Sequence, residues 1–319
     1  LPVPFASASI GQVHRAVLKD GKSVVVKVQH TGIEERVRND LEILIQLAEL
    51  AEHYSQDIAR YRPLATAREF ARTLRDELDF TREQSNLMRF TRNFRDDPMI
   101  AIPTSYPQCC SRRVLTMDCL NGIELTDRKA LQESDFDLGE IAKRGANMFL
   151  QMIFRDGFYH ADPHPGNLMV LPDSAIGLLD CGMVGRVDEE LREQIEDLLM
   201  AAIDRDSKRL QESVVELGEV PTDFDRTMLQ NDLVNFVDDY GGQSIDEFDL
   251  SGSLNGMIEI IRKHHILLPS KVSLLIKMLV MLEGTAHQLS PDFNLIGLLE
   301  PYRVESIKRR LSPQRAWRK

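Results

Sequence analysis

Long apolar runs are missing from these 319 residues. The longest, "VSLLIKMLVML" at 272 to 282, is interrupted by Lys277 and falls far short of the ~20 residues a helical membrane span needs; it reads as a buried helix. Cysteine is scarce: four residues, at 109, 110, 119 and 181, have no CxxC spacing, and adjacent Cys109 and Cys110 make a poor disulfide. A disulfide framework is excluded, and the thiols point to a reducing, cytosol-like compartment. Basic charge is in deficit, with 39 Lys and Arg against 50 Asp and Glu and a formal charge of -11. A sequence-independent grip on nucleic acid needs basic patches to displace counterions, so nucleic acid is excluded as a partner. The single tryptophan sits in a basic end, "SIKRRLSPQRAWRK", read as a solvated tail whose other use is peripheral contact with an anionic membrane. No charged start, apolar core and cleavage site open the chain, which begins at Leu1 rather than Met and reads as an excised piece.

With 43% hydrophobic residues there is material for one large two-lobed domain or two smaller ones. "GQVHRAVL" and "SVVVKVQ" flank Asp20 and Gly21, a hairpin signal. Thr31 and Glu34 have capping-box spacing, and Ile33, Val37, Leu41, Leu44, Leu47 and Leu50 predict one apolar helix face to about residue 54. After Pro63 a second helical region is expected over about 64 to 94, with Phe70, Leu74, Leu78, Leu87 and Phe90 as its apolar positions. "RRVLTMDCL" and "GIEL" read as extended, separated by Asn121 and Gly122. Leu138 to Gly157 reads as helix, followed by a polar run and a short hairpin, "LMVL" and "AIGLLD". From Glu189 onward nearly all is helix, broken at Gly241, Gly242 and Pro269. The expected class is α+β, with a β-rich lobe over 1–126 and a helical lobe over 127–319, and no internal repeat.

The polar run, "FYHADPHPGN" at 158 to 167, concentrates hydrogen-bonding and ionisable groups between apolar stretches. Asp162 and Asn167 have the D-x-x-x-x-N spacing of a phosphotransfer catalytic loop. Asp180 opens an Asp-x-Gly turn after the short hairpin, where a metal-facing carboxylate is expected. Mg²⁺ prefers oxygen ligands and keeps phosphate oxygens and waters, so one carboxylate and one amide suffice from the protein. Asp162 is then placed to orient or deprotonate the attacking hydroxyl or water. Cys181 stands where kinases carry Phe, and Gly182 is expected to provide the backbone freedom of the turn. The competing reading makes His160 and His164 structural residues or zinc ligands, but two histidines and an aspartate fall short of a zinc set.

Lys27 ends "VVVK", matching the strand lysine that holds nucleotide phosphates in kinase-like folds, and its glutamate partner is sought at Glu77 or Glu83. The phosphate lid departs from the G-x-G-x-x-G pattern. In "FASASIGQVH", Ala6, Ser7, Ala8 and Ser9 occupy the positions of glycines and predict a stiffer, thicker loop.

"ASASIGQVHRA", "VVVKVQ", "ELDFTREQSN", "HADPHPGN" and "LLDCGMVG" together resemble the successive signatures of the UbiB/AarF (ADCK-type) atypical kinases, over residues 4 to about 300. The resemblance implies a protein-kinase-like, two-lobed α+β fold binding Mg²⁺ and ATP or ADP between its lobes. It further implies ATPase or small-molecule kinase behaviour and a link to isoprenoid quinone (ubiquinone-type) biosynthesis or membrane-lipid homeostasis, with a lipid or quinone precursor as a further ligand. Residue by residue, it makes Lys27 the phosphate lysine, Glu83 its ion-pair partner, Asp162 the catalytic aspartate, and Asn167 and Asp180 the metal ligands. Glu77 and Asp79 match an E-x-D pair restraining substrate access, and Met117, Asp118, Cys119 and Leu120 fall at the adenine-holding hinge. The family's K-x-G-Q extension and the C-terminal membrane helices of many relatives are not in these residues, and the expected location is cytoplasmic or peripheral to the cytoplasmic membrane. Two alternatives stand beside this: an aminoglycoside-phosphotransferase-like small-molecule kinase, and a pseudokinase scaffold that binds nucleotide without turnover.

Overall fold

Valine-rich segments on either side of Asp20–Gly21 pair as their alternation predicts. In the computed structural model, which describes residues 3–7, 10–59, 62–241, 250–299 and 301–302, β1 (Ala6–Ser7) leads into β2 (Gly11–Val17), which pairs antiparallel with β3 (Ser23–Gln29) from Gly11↔Gln29 to Val17↔Ser23. β5 (Val114–Asp118) closes the sheet, in the order β1-β2-β3-β5. A second sheet runs β4 (Ile100–Ala101), β9 (Ile176–Leu178), β8 (Leu168–Val170), β6 (Ile123–Glu124). The expected hairpin around Pro172 and Asp173 is its β8–β9 pair.

Between β3 and β4 the chain is helical: α1 (Ile33–Tyr54), a single turn α2 (Gln56–Ala59), α3 (Pro63–Glu77) and α4 (Phe80–Asn93). Pro63 sits in the first turn of α3, where its missing N–H costs nothing. The continuous helix expected over 64 to 94 breaks at Leu78–Asp79 because Asp79 turns extended and accepts a hydrogen bond from the Thr81 amide, capping a new helix. The Thr31 capping box does not form. Gly32, with φ 76, is the cap residue of α1 and no side chain bonds to that end. Glu34 instead meets Arg113 at 2.7 Å and Arg112 at 3.5 Å.

The apolar face of α1 also differs from expectation. Ile33, Val37, Leu41 and Ile45 pack with Ala71 and Leu74 of α3 and with Leu78 at its end, whereas Leu44, Leu47 and Leu50 are exposed. At about 100° per residue, Leu47 lies roughly 120° round the helix from Leu41, so the i+4 row is buried and the second row is not. Phe70 is likewise exposed, on the flank of α3.

These elements form one packed unit, Leu1–Glu124 with Leu168–Met183; Leu125–Asn167 with Val184–Lys319 form another. The second unit holds α5 (Arg128–Gln132), α6 (Leu138–Phe154), the paired strands β7 (Phe158–His160) and β10 (Val184–Arg186), and then α7 (Glu189–Ile203), α8 (Ser207–Leu217), α9 (Arg226–Gly241), α10 (Leu250–Lys263) and α11 (Ser270–Leu289). Asp127, Asp137, Asp188 and Asp206 cap four of these helices through backbone amides, so part of the chain's excess acidity serves helix starts. The expected break at Pro269 is the cap of α11, and "VSLLIKMLVML" lies within that helix with Val272, Leu275, Ile276, Met278, Leu279 and Leu282 buried. The nearly continuous helix expected after Glu189 also breaks at 204–206 and 218–225. Gly242 and the basic tail lie outside the described residues.

Gly185 of β10 lies directly opposite Tyr159 of β7, and a Cβ there would run into the buried Tyr159 ring. Gly185→Ala is expected to cost about 1–3 kcal/mol of stability through overpacking, read as a lowered midpoint in chemical denaturation.

Candidate functional site

Lys27 lies on a central strand, opposite Val13 of β2 and Leu115 of β5, and its side chain is buried. A buried ammonium needs anionic partners, and α4 supplies the first. Asp79 fixes the start of that helix through the Thr81 amide at 3.0 Å and hydroxyl at 2.6 Å. Phe80 follows, fully buried, its ring centre 5.2 Å from the ammonium. One turn later the Glu83 carboxylate accepts two hydrogen bonds from Lys27 Nζ, at 2.9 and 3.1 Å. The turn after β9 supplies the second partner, Asp180 Oδ2, at 2.7 Å. Glu83, not Glu77, is thus the lysine's partner; Glu77 ends α3.

The Asp-Cys-Gly turn is held from two sides. Asp180 Oδ1 accepts the Gly182 amide at 2.7 Å, and Asn86, three residues beyond Glu83 on α4, donates to the Cys181 carbonyl at 2.9 Å. Gly182 stays outside the left-handed backbone region, contrary to the expectation that it supplies unusual freedom. Its missing side chain matters because a Cβ would sit 3.1 Å from Asp180 Oδ1. Phe80 and Asn86 were not singled out in the sequence, although both lie in "ELDFTREQSN"; their signal was the i, i+3 spacing to Glu83 on one helix face.

One ammonium among two carboxylates leaves the cluster with a net negative charge. Burial alone would lower the Lys27 ammonium, but Asp180 and Glu83 outweigh it and hold the lysine above its ordinary value. Burial first, then the Asp180 charge, push the Glu83 carboxyl up to about 7, against the pull of Lys27. Burial, followed by the same two carboxylates, drives the Cys181 thiol well up, so it is a packed thiol and not a nucleophile.

Asp162 and Asn167 belong to the second unit. The loop after β7 turns on itself: His160 Nδ1 accepts the Asp162 amide at 3.1 Å and His164 Nδ1 accepts the Gly166 amide at 3.0 Å. Both histidines therefore shape the loop. Asn167, in a single 3₁₀ turn (Pro165–Asn167), donates its amide nitrogen to Asp162 Oδ2 at 2.9 Å and to the Asp162 carbonyl at 3.1 Å. With the nitrogen so committed, Asn167 presents its amide oxygen, a donor atom suited to a hard cation. Asp180, in the first unit, carries a carboxylate donor of the same hard class, so each side chain by itself suits magnesium. Among the described residues no group of three or more His, Cys, Asp and Glu is arranged to hold a metal.

The remaining predicted residues fall in the first unit. Ala6 and Ser7 form β1, paired with Val13 and Gln12 and exposed; Ala8 and Ser9 lie outside the described residues. Gly11, just beyond them, is required by close approach, since a Cβ would stand 2.7 Å from the Val28 carbonyl oxygen. Met117 and Asp118 end β5 and lead into Cys119 and Leu120. The Asp118 carboxylate is fully engaged, with Tyr106 Oη at 2.6 Å, Lys22 Nζ at 3.0 Å and the Thr104 amide at 3.1 Å. Burial raises it, but those hydrogen bonds outweigh burial and keep its carboxyl below the usual range. Any role of this stretch in holding a base falls to its backbone.

A buried strand lysine, a glutamate from the following helices and an Asp-x-Gly aspartate on the same ammonium are the marks of a protein-kinase-like α+β fold. The solved complex of Rv3197 with erythromycin from Mycobacterium tuberculosis has that fold in common with this chain, at a TM-score of 0.68 and 21% identity over 93% of this chain and 75% of that one. The family model of the ABC1 atypical kinase-like domain matches residues 2–214, and that of the UbiB helical domain matches residues 233–294. The chain belongs to the ABC1 atypical kinase-like family. "Probable protein kinase UbiB" of Pseudomonas paraeruginosa is 31% identical over 319 residues, covering 99% of this chain and 60% of the relative. Its counterpart in Cronobacter sakazakii is 33% identical over 311 residues, covering 96% and 57%. The chain thus spans about three-fifths of the length of the curated relatives it matches.

Two outcomes are expected. Because the folded-state value of Glu83 is raised from 4.5 to about 7, protonated Glu83 favours the fold. That contribution is complete below about pH 4.5 and is lost as pH rises through 7, as much as about 3 kcal/mol. Glu83→Gln removes this slope in urea denaturation followed between pH 4.5 and 8; an unchanged slope refutes the assignment. Asp79→Ala deletes the cap of α4 and lowers stability by about 1 kcal/mol, read by thermal unfolding.

Proposed function

We propose that the chain is an atypical kinase of the phosphotransferase or ATPase type, acting on magnesium-bound ATP. The observation that carries this reading is the buried Lys27 ammonium shared between Glu83 and Asp180, at 2.9 and 2.7 Å. An ion pair that served packing alone would need one carboxylate. Here the second, Asp180, is 39% exposed in its side chain, so it stands at the open end of the cluster while Glu83 anchors the buried end. Lys27 would bind the nucleotide phosphates, with Glu83 keeping its ammonium in place. Asp180 and Asn167 would hold the magnesium, which neutralises phosphate charge when bound. Asp162, its carboxylate oriented by Asn167, would take the proton of the attacking hydroxyl or water. The short β1 with its Ala6 and Ser7 side chains, in place of a glycine loop, favours a phosphate geometry unlike that of protein kinases.

The setting proposed is quinone biosynthesis or membrane-lipid homeostasis, as the resemblance of the five motifs implies, and the acceptor candidates are a protein, a small molecule such as a quinone precursor, a lipid or water. Among the described residues no helix is long and apolar enough to cross a membrane; a peripheral or cytoplasmic site of action is part of the proposal. Asp180→Asn should abolish the rise in melting temperature given by Mg-ADP, since it removes a charged donor. Asp162→Asn should keep that rise yet lower phosphate release from ATP by about 10²–10⁴-fold. Wild-type binding of Mg-ADP without any hydrolysis would overturn the enzyme reading in favour of a scaffold.

A further inference from the structure

The second unit contains a cavity of about 170 Å³ against the Asp162 loop, lined by side chains of α5, α6 and α11, by Leu125 and Pro291, and by Pro165 of the loop itself. We propose that it binds a small amphipathic acid, a short acyl chain ending in a carboxylate, and that occupancy stiffens the Asp162–Asn167 loop. Much of the lining is aliphatic: buried Leu125 and Leu131, partly buried Leu138, Leu289 and Pro165, and exposed Pro291. Among the described residues no aromatic side chain lines it, so none there would stack on a ring, and a flexible chain suits it better. An apolar cavity of about 150 Å³ accepts a benzene-sized guest, which puts the chain at roughly six to eight carbons.

The rim is polar, with Arg128, Gln132 and Gln288. Lys129 beside it is engaged by Glu133 at 3.8 Å, whereas among the described residues Arg128 has no carboxylate within salt-bridge distance. A guanidinium at the mouth of an aliphatic pocket matches a carboxylate bidentately. Thr285, buried on α11 and lining the cavity, couples it to the loop by donating its hydroxyl to the Pro163 carbonyl at 3.0 Å. Pro163 adjoins Asp162, and Pro165 is itself a wall. A guest therefore touches the loop at Pro165 and, through Thr285, beside the Pro163 anchor.

Octanoate is the probe, titrated by calorimetry below its micelle-forming concentration, with octanol as the uncharged comparison. Saturable binding of one octanoate is expected, weakened about tenfold for octanol and for Arg128→Gln, and lost in Leu289→Trp, which fills the pocket from a half-buried position. In wild type, octanoate should slow hydrogen exchange at the Gly166 and Asn167 amides. The binding part is independent of the proposed catalysis, whereas the meaning of the stiffened loop rests on it. Asp162→Asn should accordingly bind octanoate as wild type does, even if no ATP turnover is found. No saturable binding, equal affinity for octanol, or equal binding by both variants overturns the site; binding without slowed exchange overturns the coupling.

Discussion

A buried ammonium is tolerable only beside anionic partners, and Lys27 imposes that condition on everything around it. Two carboxylates meet it from segments 56 and 153 residues away in sequence. Each must arrive with its own support. Glu83 is placed by the Asp79 cap and the buried Phe80, and Asp180 by the Gly182 amide and by Asn86 on the same helix as Glu83. The sheet register, the break between α3 and α4 and the β8–β9 hairpin all serve this one arrangement.

The second unit solves a different problem, keeping a polar loop ordered next to an apolar helical core. Its histidines accept backbone amides, Asn167 bonds back to Asp162, and Thr285 secures Pro163 from α11. The loop's proton-transfer candidate is therefore oriented by short-range bonds within the run 160–167, supplemented by one anchor from a helix more than a hundred residues on. The latch of Lys22, Tyr106 and Asp118 plays a comparable role in the first unit, tying the end of β5 to the hairpin turn.

Legibility followed the range of the interaction. The valine hairpin, the short hairpin after Asn167, the kinase-like spacing and the buried character of 272–282 rest on local alternation and composition, and all could be read from the chain. Errors arose where neighbours in space decide. Leu44, Leu47, Leu50 and Phe70 carry the right polarity for burial, but the i+4 row from Ile33 to Ile45 faces α3 and leaves them outside. Thr31 lost its capping role because Gly32 entered the left-handed region, and Glu34 went to Arg112 and Arg113 instead. Gly182 proved to be a matter of room beside Asp180, not of backbone freedom.

The amino-acid order by itself determined which chemical groups are present and how they are spaced: a strand lysine, an E-x-D helix start, a D-x-x-x-x-N loop and an Asp-x-Gly turn, because such patterns depend on residues a few positions apart. Only the tertiary structure decided that Asp180 closes on the same ammonium as Glu83, that Asn86 braces the turn, and that a leucine-lined cavity lies against Pro165 of the loop. Those outcomes depend on distances between segments far apart in the chain, which packing sets and local pattern does not carry.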